Sequence, residues 1–139
     1  MPISKLITLP KYSDENGVLT CIEGMKDFPY EIKRVFFLTE SKGLRGSHAH
    51  RETNQLLFVT SGELCIRLHD GEQEQTFMLN SPYEGILIPK MTYIEMDSFS
   101  QDAVAVVLAD THYDPHGSIQ NKSEFLRIFK GKDSENESI

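Results

Sequence analysis

Residues 63–69 alternate strictly. Leu64, Ile66 and Leu68 fall on one side, with Glu63, Cys65, Arg67 and His69 on the other, and Asp70-Gly71 follows before a second run at 73–79. Apolar residues at every second position share a face only in a strand, and Asp-Gly supplies the positive-φ corner of a tight hairpin. The segment therefore predicts an antiparallel pair with one packed side. Similar short runs recur along the chain: Ile3–Leu9, Val18–Glu23, Glu31–Thr39, Gln55–Thr60, Ile86–Pro89, Met91–Asp97 and Ala103–Ala109. Many short strands at regular spacing predict an all-β sandwich or barrel. One stretch, Ser118–Phe129, reads as a helix, because Phe125, Leu126 and Phe129 can share a face.

A chain of 139 residues is long enough to bury a core and is read as one domain over residues 1–130. Hydrophobic content is 39%, below the usual range, and the polar stretch 131–139 is expected to be a disordered tail. A net charge of −7 argues against a nucleic-acid surface, which needs a basic face, yet leaves room for local arginines to hold a diphosphate. No apolar run is long enough to span a membrane, and the N-terminus lacks the layout of a signal peptide. Cys21 and Cys65 are read as free thiols in a reducing compartment, so a cytoplasmic location is expected.

The chemistry concentrates in Arg45-Gly46-Ser47-His48-Ala49-His50. On a strand, His48 and His50 point to the same side, so their imidazoles converge on one small volume. Such a pair can bind a metal or move protons near neutral pH. Arg34 alternates with Ile32 and Phe36, so an inward face would leave its charge in need of a partner, for which a diphosphate suffices. Tyr93 and Glu95 share a face with each other, which suggests a joint role at the site.

The motif extends to Gln55 and Gly62, then to Gly85-Ile86-Leu87-Ile88-Pro89 and to Tyr93-Ile94-Glu95. This two-part pattern resembles the cupin superfamily, which implies a jelly-roll barrel. Metal-binding cupins place a Glu where this chain has Gln55 and a further His where it has Ile94. An amide is a poorer ligand and isoleucine is none, so no metal is expected. Together with Glu31-Ile32-Lys33-Arg34-Val35-Phe36-Phe37, Asp70-Gly71, Glu95-Met96, Phe99-Ser100, Leu108-Ala109 and Tyr113-Asp114, the motif resembles the sugar-nucleotide 3,4-ketoisomerases.

That resemblance implies a metal-independent, cofactor-free isomerase. It would move the carbonyl of dTDP-4-keto-6-deoxyglucose from C4 to C3 through an enediol, supplying 3-amino-3,6-dideoxy sugars for surface polysaccharides. It implies His48 as general base and His50 as the second histidine, with Arg45, Arg34, Gln55, Tyr93 and Glu95 binding substrate. It further implies a homodimer with exchanged N-terminal strands and no nucleic-acid or membrane partner. The alternatives are a sugar-nucleotide 3,5-epimerase, a metal-dependent cupin enzyme, and a cupin that binds a sugar nucleotide without catalysis.

Overall fold

The computed structural model describes residues 1–137, with side-chain surroundings for residues 1–130. Its strands are β1 (Leu6–Thr8), β2 (Lys11–Asp14), β3 (Gly17–Thr20), β4 (Arg34–Leu38), β5 (Arg45–His50), β6 (Gln55–Ser61), β7 (Leu64–His69), β8 (Glu74–Leu79), β9 (Glu84–Ile88), β10 (Tyr93–Asp97), β11 (Val104–Ala109) and β12 (Ser118–Ile119), followed by helix α1 (Lys122–Glu137). Two five-stranded antiparallel sheets face each other, one ordered β1-β9-β6-β11-β4 and the other β12-β5-β10-β7-β8, while β2 and β3 form a separate ribbon. This is the expected jelly-roll barrel of the cupin type.

The alternation in β7 does what its period demands. Leu64, Ile66 and Leu68 are fully buried, joining Leu57, Val59, Ile86, Ile88, Ile94, Met96 and Val107 between the two sheets. On the opposite face of the same sheet, Arg67 pairs with Asp97 at 3.0 Å. The turn after β7 is as read, and it is reinforced by its side chains. The Gly71 amide donates to His69 Nδ1 at 2.9 Å, and Asp70 Oδ1 accepts from the Glu72 and Gln73 amides. His69 thus helps close the turn.

Two smaller clusters cover the outer faces. Leu9, Phe28, Leu56 and Leu108 pack on the back of the first sheet. Ala49, Tyr93, Ile119 and Phe125 pack on the back of the second, beneath α1.

The helix begins later than its hydrophobic spacing suggested. Ser118 and Ile119 pair with His50 and Ala49 as β12. Asn121 then caps the helix, its Oδ1 accepting the Glu124 amide at 2.7 Å. The backbone stays helical to Glu137, so the expected tail over 131–139 is helical as far as that residue; its side chains and residues 138–139 lie outside the described residues. The N-terminal run is shorter than expected, and β1 pairs with β9 of its own chain. Lys11–Asp14, which lies between the runs read from the sequence, is a strand paired with β3. Cys21 and Cys65 are free. Among the described residues no helix is long and apolar enough to cross a membrane.

Candidate active site

The backbone of β5 is irregular where the chemistry lies. Gly46 and Ser47 both have positive φ, 87° and 55°, and the register with β10 slips by one residue, from Ile94↔His48 to Glu95↔Gly46. Ser47 is therefore the extra residue of a bulge, a device that re-aims side chains. Glycine is favoured at position 46, because φ there is +87° and a Cβ would crowd the Ile94 carbonyl oxygen at 3.0 Å.

The bulge brings the Gly46 carbonyl under the next ring, where His48 Nδ1 donates to it at 2.8 Å. A carbonyl can only accept, so Nδ1 carries the proton and neutral His48 presents a lone pair at Nε2. That atom lies 3.0 Å from His50 Nε2, and the two rings meet edge to face at 4.6 Å between centroids. One proton must occupy this contact, since two lone pairs would repel. Burial, together with the nearby His48 and Arg34, lowers the His50 pKa to about 4. His50 is thus neutral at pH 7 and donates its Nε2 proton to His48 in the resting pair. Gln55 Nε2, buried on β6, stands 3.5 Å from His50 Nε2.

Two spaces meet at His48. The outer one, about 470 Å³, opens to solvent and is lined by His48, His50, Arg34, Phe36, Thr53 and Tyr113 among others. The inner one is small and nearly all apolar, with Leu57, Ile88, Ile94, Met96 and Val107 around His48 and Gln55. Arg34 sits in the wall of the outer cavity, its guanidinium 5.4 Å from the ring of Phe36 and 5.7 Å from that of Tyr113. Its Nε is buried without a hydrogen-bond partner, and among the described residues no carboxylate lies within 4.0 Å of it. A half-buried, unneutralised guanidinium beside a cavity is a site for an anion. Among the described residues no group of three His, Cys, Asp or Glu side chains is placed to hold a metal ion.

The family model described as FdtA: WxcM-like, C-terminal, matches residues 3–130. The chain belongs to the FdtA family. It is similar to a TDP-4-oxo-6-deoxy-alpha-D-glucose-3,4-oxoisomerase from Aneurinibacillus thermoaerophilus, 36% identical over 126 residues, which are 89% of this chain and 91% of that one. It also resembles the TDP-quinovose 3,4-ketoisomerase of Campylobacter jejuni, with 37% identity, a TM-score of 0.87, and coverage of 91% of this chain and 99% of that chain. A sugar 3,4-ketoisomerase from Thermoanaerobacterium thermosaccharolyticum, solved with TDP, gives 33% identity and a TM-score of 0.88 over 94% of this chain and 96% of that chain.

Within this FdtA-family barrel, the structure brings together four of the seven site residues read from the sequence: His48, His50, Arg34 and Gln55. Three lie elsewhere. Tyr93 is buried on the opposite face of β10, its ring 5.8 Å from Phe125, where burial pushes its hydroxyl pKa up. Glu95 shares that outward face, as alternation from inward-facing Ile94 and Met96 requires. Arg45 is exposed at the start of β5 and lines neither cavity. Phe36 packs against the core and also lines both spaces. Sequence reasoning missed Thr53, Ser118 and Gln120 in the cavity wall. The period-two link from Arg34 to Phe36 was available as a signal, whereas nothing periodic marks the irregular segments at 53 and 113–120.

Proposed function

We propose that this protein is a sugar-nucleotide 3,4-ketoisomerase that converts dTDP-4-keto-6-deoxyglucose into a dTDP-3-keto-6-deoxyhexose. The observation that carries this reading is the imidazole pair, Nε2 to Nε2 at 3.0 Å, set where an apolar inner space meets a mouth holding an unpartnered guanidinium. The family relatives named for this reaction support it.

Substrate entering the cavity displaces the His50 Nε2–H from the His48 Nε2 lone pair, which the bond to Gly46 keeps oriented, and that lone pair takes the proton from C3. The C3–H electron pair becomes the C3=C4 double bond, and the C4 carbonyl pair moves onto its oxygen. The hydroxyl proton passes from O3 to O4, the carbonyl re-forms at C3, and the π pair collects a proton at C4 from the His48 imidazolium. Atoms and electrons balance, and the product is an isomer of the substrate. Neutral His50 does not compete for the proton that His48 holds; it keeps the ring in register and can relay hydrogen through the shared contact. The apolar inner wall limits water access to the enediol. Arg34 receives the diphosphate, and Gln55 reaches the sugar from the inner side.

The 3,5-epimerase alternative calls for a carboxylate behind the histidine base. Here the group behind His48 is a backbone carbonyl, which favours the ketoisomerase. A homodimer fits the exposed apolar faces of the first sheet's edge strand, Val35 and Phe37, and of the β2–β3 ribbon, Tyr12, Val18 and Leu19. Supply of precursors for 3-amino-3,6-dideoxy sugars of surface polysaccharides, in the cytoplasm, follows from the same reading.

The test is incubation with dTDP-4-keto-6-deoxyglucose in D2O, followed by NMR. C3 should become the carbonyl, with deuterium entering at C4 to the extent that the His48 imidazolium exchanges its proton through His50 before delivering it. His48→Asn should lose that conversion by at least about a hundredfold while still binding TDP. An unchanged rate in the variant would remove His48 from the mechanism, and absence of any isomerisation would remove the proposed function.

A further inference from the structure

The outer cavity has an order to it. His48, His50 and Arg34 are half-buried in its wall, the Arg34 guanidinium is 5.7 Å from the Tyr113 ring, and Tyr113 is exposed. A nucleoside-diphosphate sugar has the same order of chemistry: reacting sugar, anionic diphosphate, aromatic base. We propose that Tyr113 is the platform on which the base of the nucleotide stacks. The proposal rests on the ketoisomerase reading and extends it to a residue that sets nucleotide affinity.

Three observations support it. Tyr113 is 74% exposed, although its ring lies against the site. An aromatic ring left in water at a cavity mouth offers its face to a planar ligand. The ring is also presented by a fixed loop. Before it, Thr53 and Thr111 share a hydroxyl contact at 2.7 Å, and Asp110 accepts the Asn54 backbone and side-chain amides at 2.7 and 2.9 Å. After it, the Gly117 amide donates to the Asp114 carbonyl at 3.0 Å, and the Arg51 amide donates to the Gly117 carbonyl at 2.9 Å. A platform held at both ends loses little freedom when a base settles on it.

Finally, Arg34 lies between the rings of Phe36 and Tyr113, so a diphosphate on Arg34 places the attached nucleoside beside Tyr113. Two other cavities, about 380 Å³ near Ile3, Lys5 and Tyr30 and about 850 Å³ near Glu40, Lys42 and Phe99, contain neither histidine nor arginine and offer no such sequence of groups.

The experiment is calorimetric titration of the full chain with TDP and, separately, with inorganic pyrophosphate. Tyr113→Ala should weaken TDP binding about five- to a hundredfold, the range for losing one base–aromatic stack. Tyr113→Phe should stay within about twofold of the unsubstituted protein, because the ring remains. Pyrophosphate affinity should be equal in all three. With the sugar nucleotide, the loss should appear in KM more than in kcat. Unchanged TDP affinity in Tyr113→Ala would overturn the proposal and leave the ketoisomerase reading standing. A parallel loss of TDP and pyrophosphate would also overturn it, since Tyr113 would then merely prop Arg34. Failure of the unsubstituted protein to bind TDP would remove both.

Discussion

Replacing His50 by Gln should flatten the acid side of this protein's stability curve. Folding lowers the His50 pKa from 6.5 to about 4, so the unfolded chain binds this proton more readily than the folded one. The contribution is present in full above pH 6.5, declines as the pH falls below that value, and is gone below about pH 4. Between pH 7.5 and pH 5 the two pKa values give a loss of about 2 kcal/mol, which the ring's partial exposure reduces to about 1–2 kcal/mol. The assay is urea unfolding at both pH values and at fixed protein concentration. With a urea slope of about 2 kcal/mol/M, the unsubstituted midpoint should fall by about 0.5–1 M more than that of His50→Gln. Titrating groups away from the imidazole pair are common to both proteins and cancel in this difference. Equal midpoint losses in the two proteins would refute the argument, because they would mean that His50 takes up its proton as easily folded as unfolded.

Three further outcomes are expected. Arg34→Met should weaken TDP binding about ten- to a hundredfold, the value of one or two charge-assisted hydrogen bonds, and calorimetry will show whether it does. Gly62→Ala should lower the thermal midpoint by about 5 °C or more, because φ is +71° there and a Cβ would lie 2.7 Å from the Ala103 backbone; an unchanged midpoint would contradict the geometry. Glu95→Gln should leave ketoisomerase turnover within about twofold, since the carboxylate faces away from the histidines; a large loss would return Glu95 to the site.

The strands of the core were legible because period two is a direct consequence of pleating, and β7 shows it without exception. What the sequence obscured were the places where side chains or tertiary pairing override local pattern. Ser118 and Ile119 look helical by spacing, but β5 offers them a free edge, and Asn121 starts the helix three residues later. Lys11–Asp14 has no buried face at all, so no periodicity could mark it as a strand. At the site, His48 and His50 follow from alternation alone. Arg45 did not join them: it precedes the bulge at Gly46 and Ser47, and a bulge leaves no signature in apolar spacing. Tyr93 lies apart from the histidines for a different reason. Its sharing a face with Glu95 was read correctly, but that face looks toward the helix and not into the barrel.

The bond from His48 to the Gly46 oxygen has one more implication. Many catalytic imidazoles are oriented by an acidic side chain, which a single codon change can delete. Here the orienting atom belongs to the peptide chain itself, so no side-chain replacement at a neighbouring position takes it away. A saturation mutagenesis screen should therefore find inactivating changes at position 46 itself, where glycine supplies shape rather than chemistry.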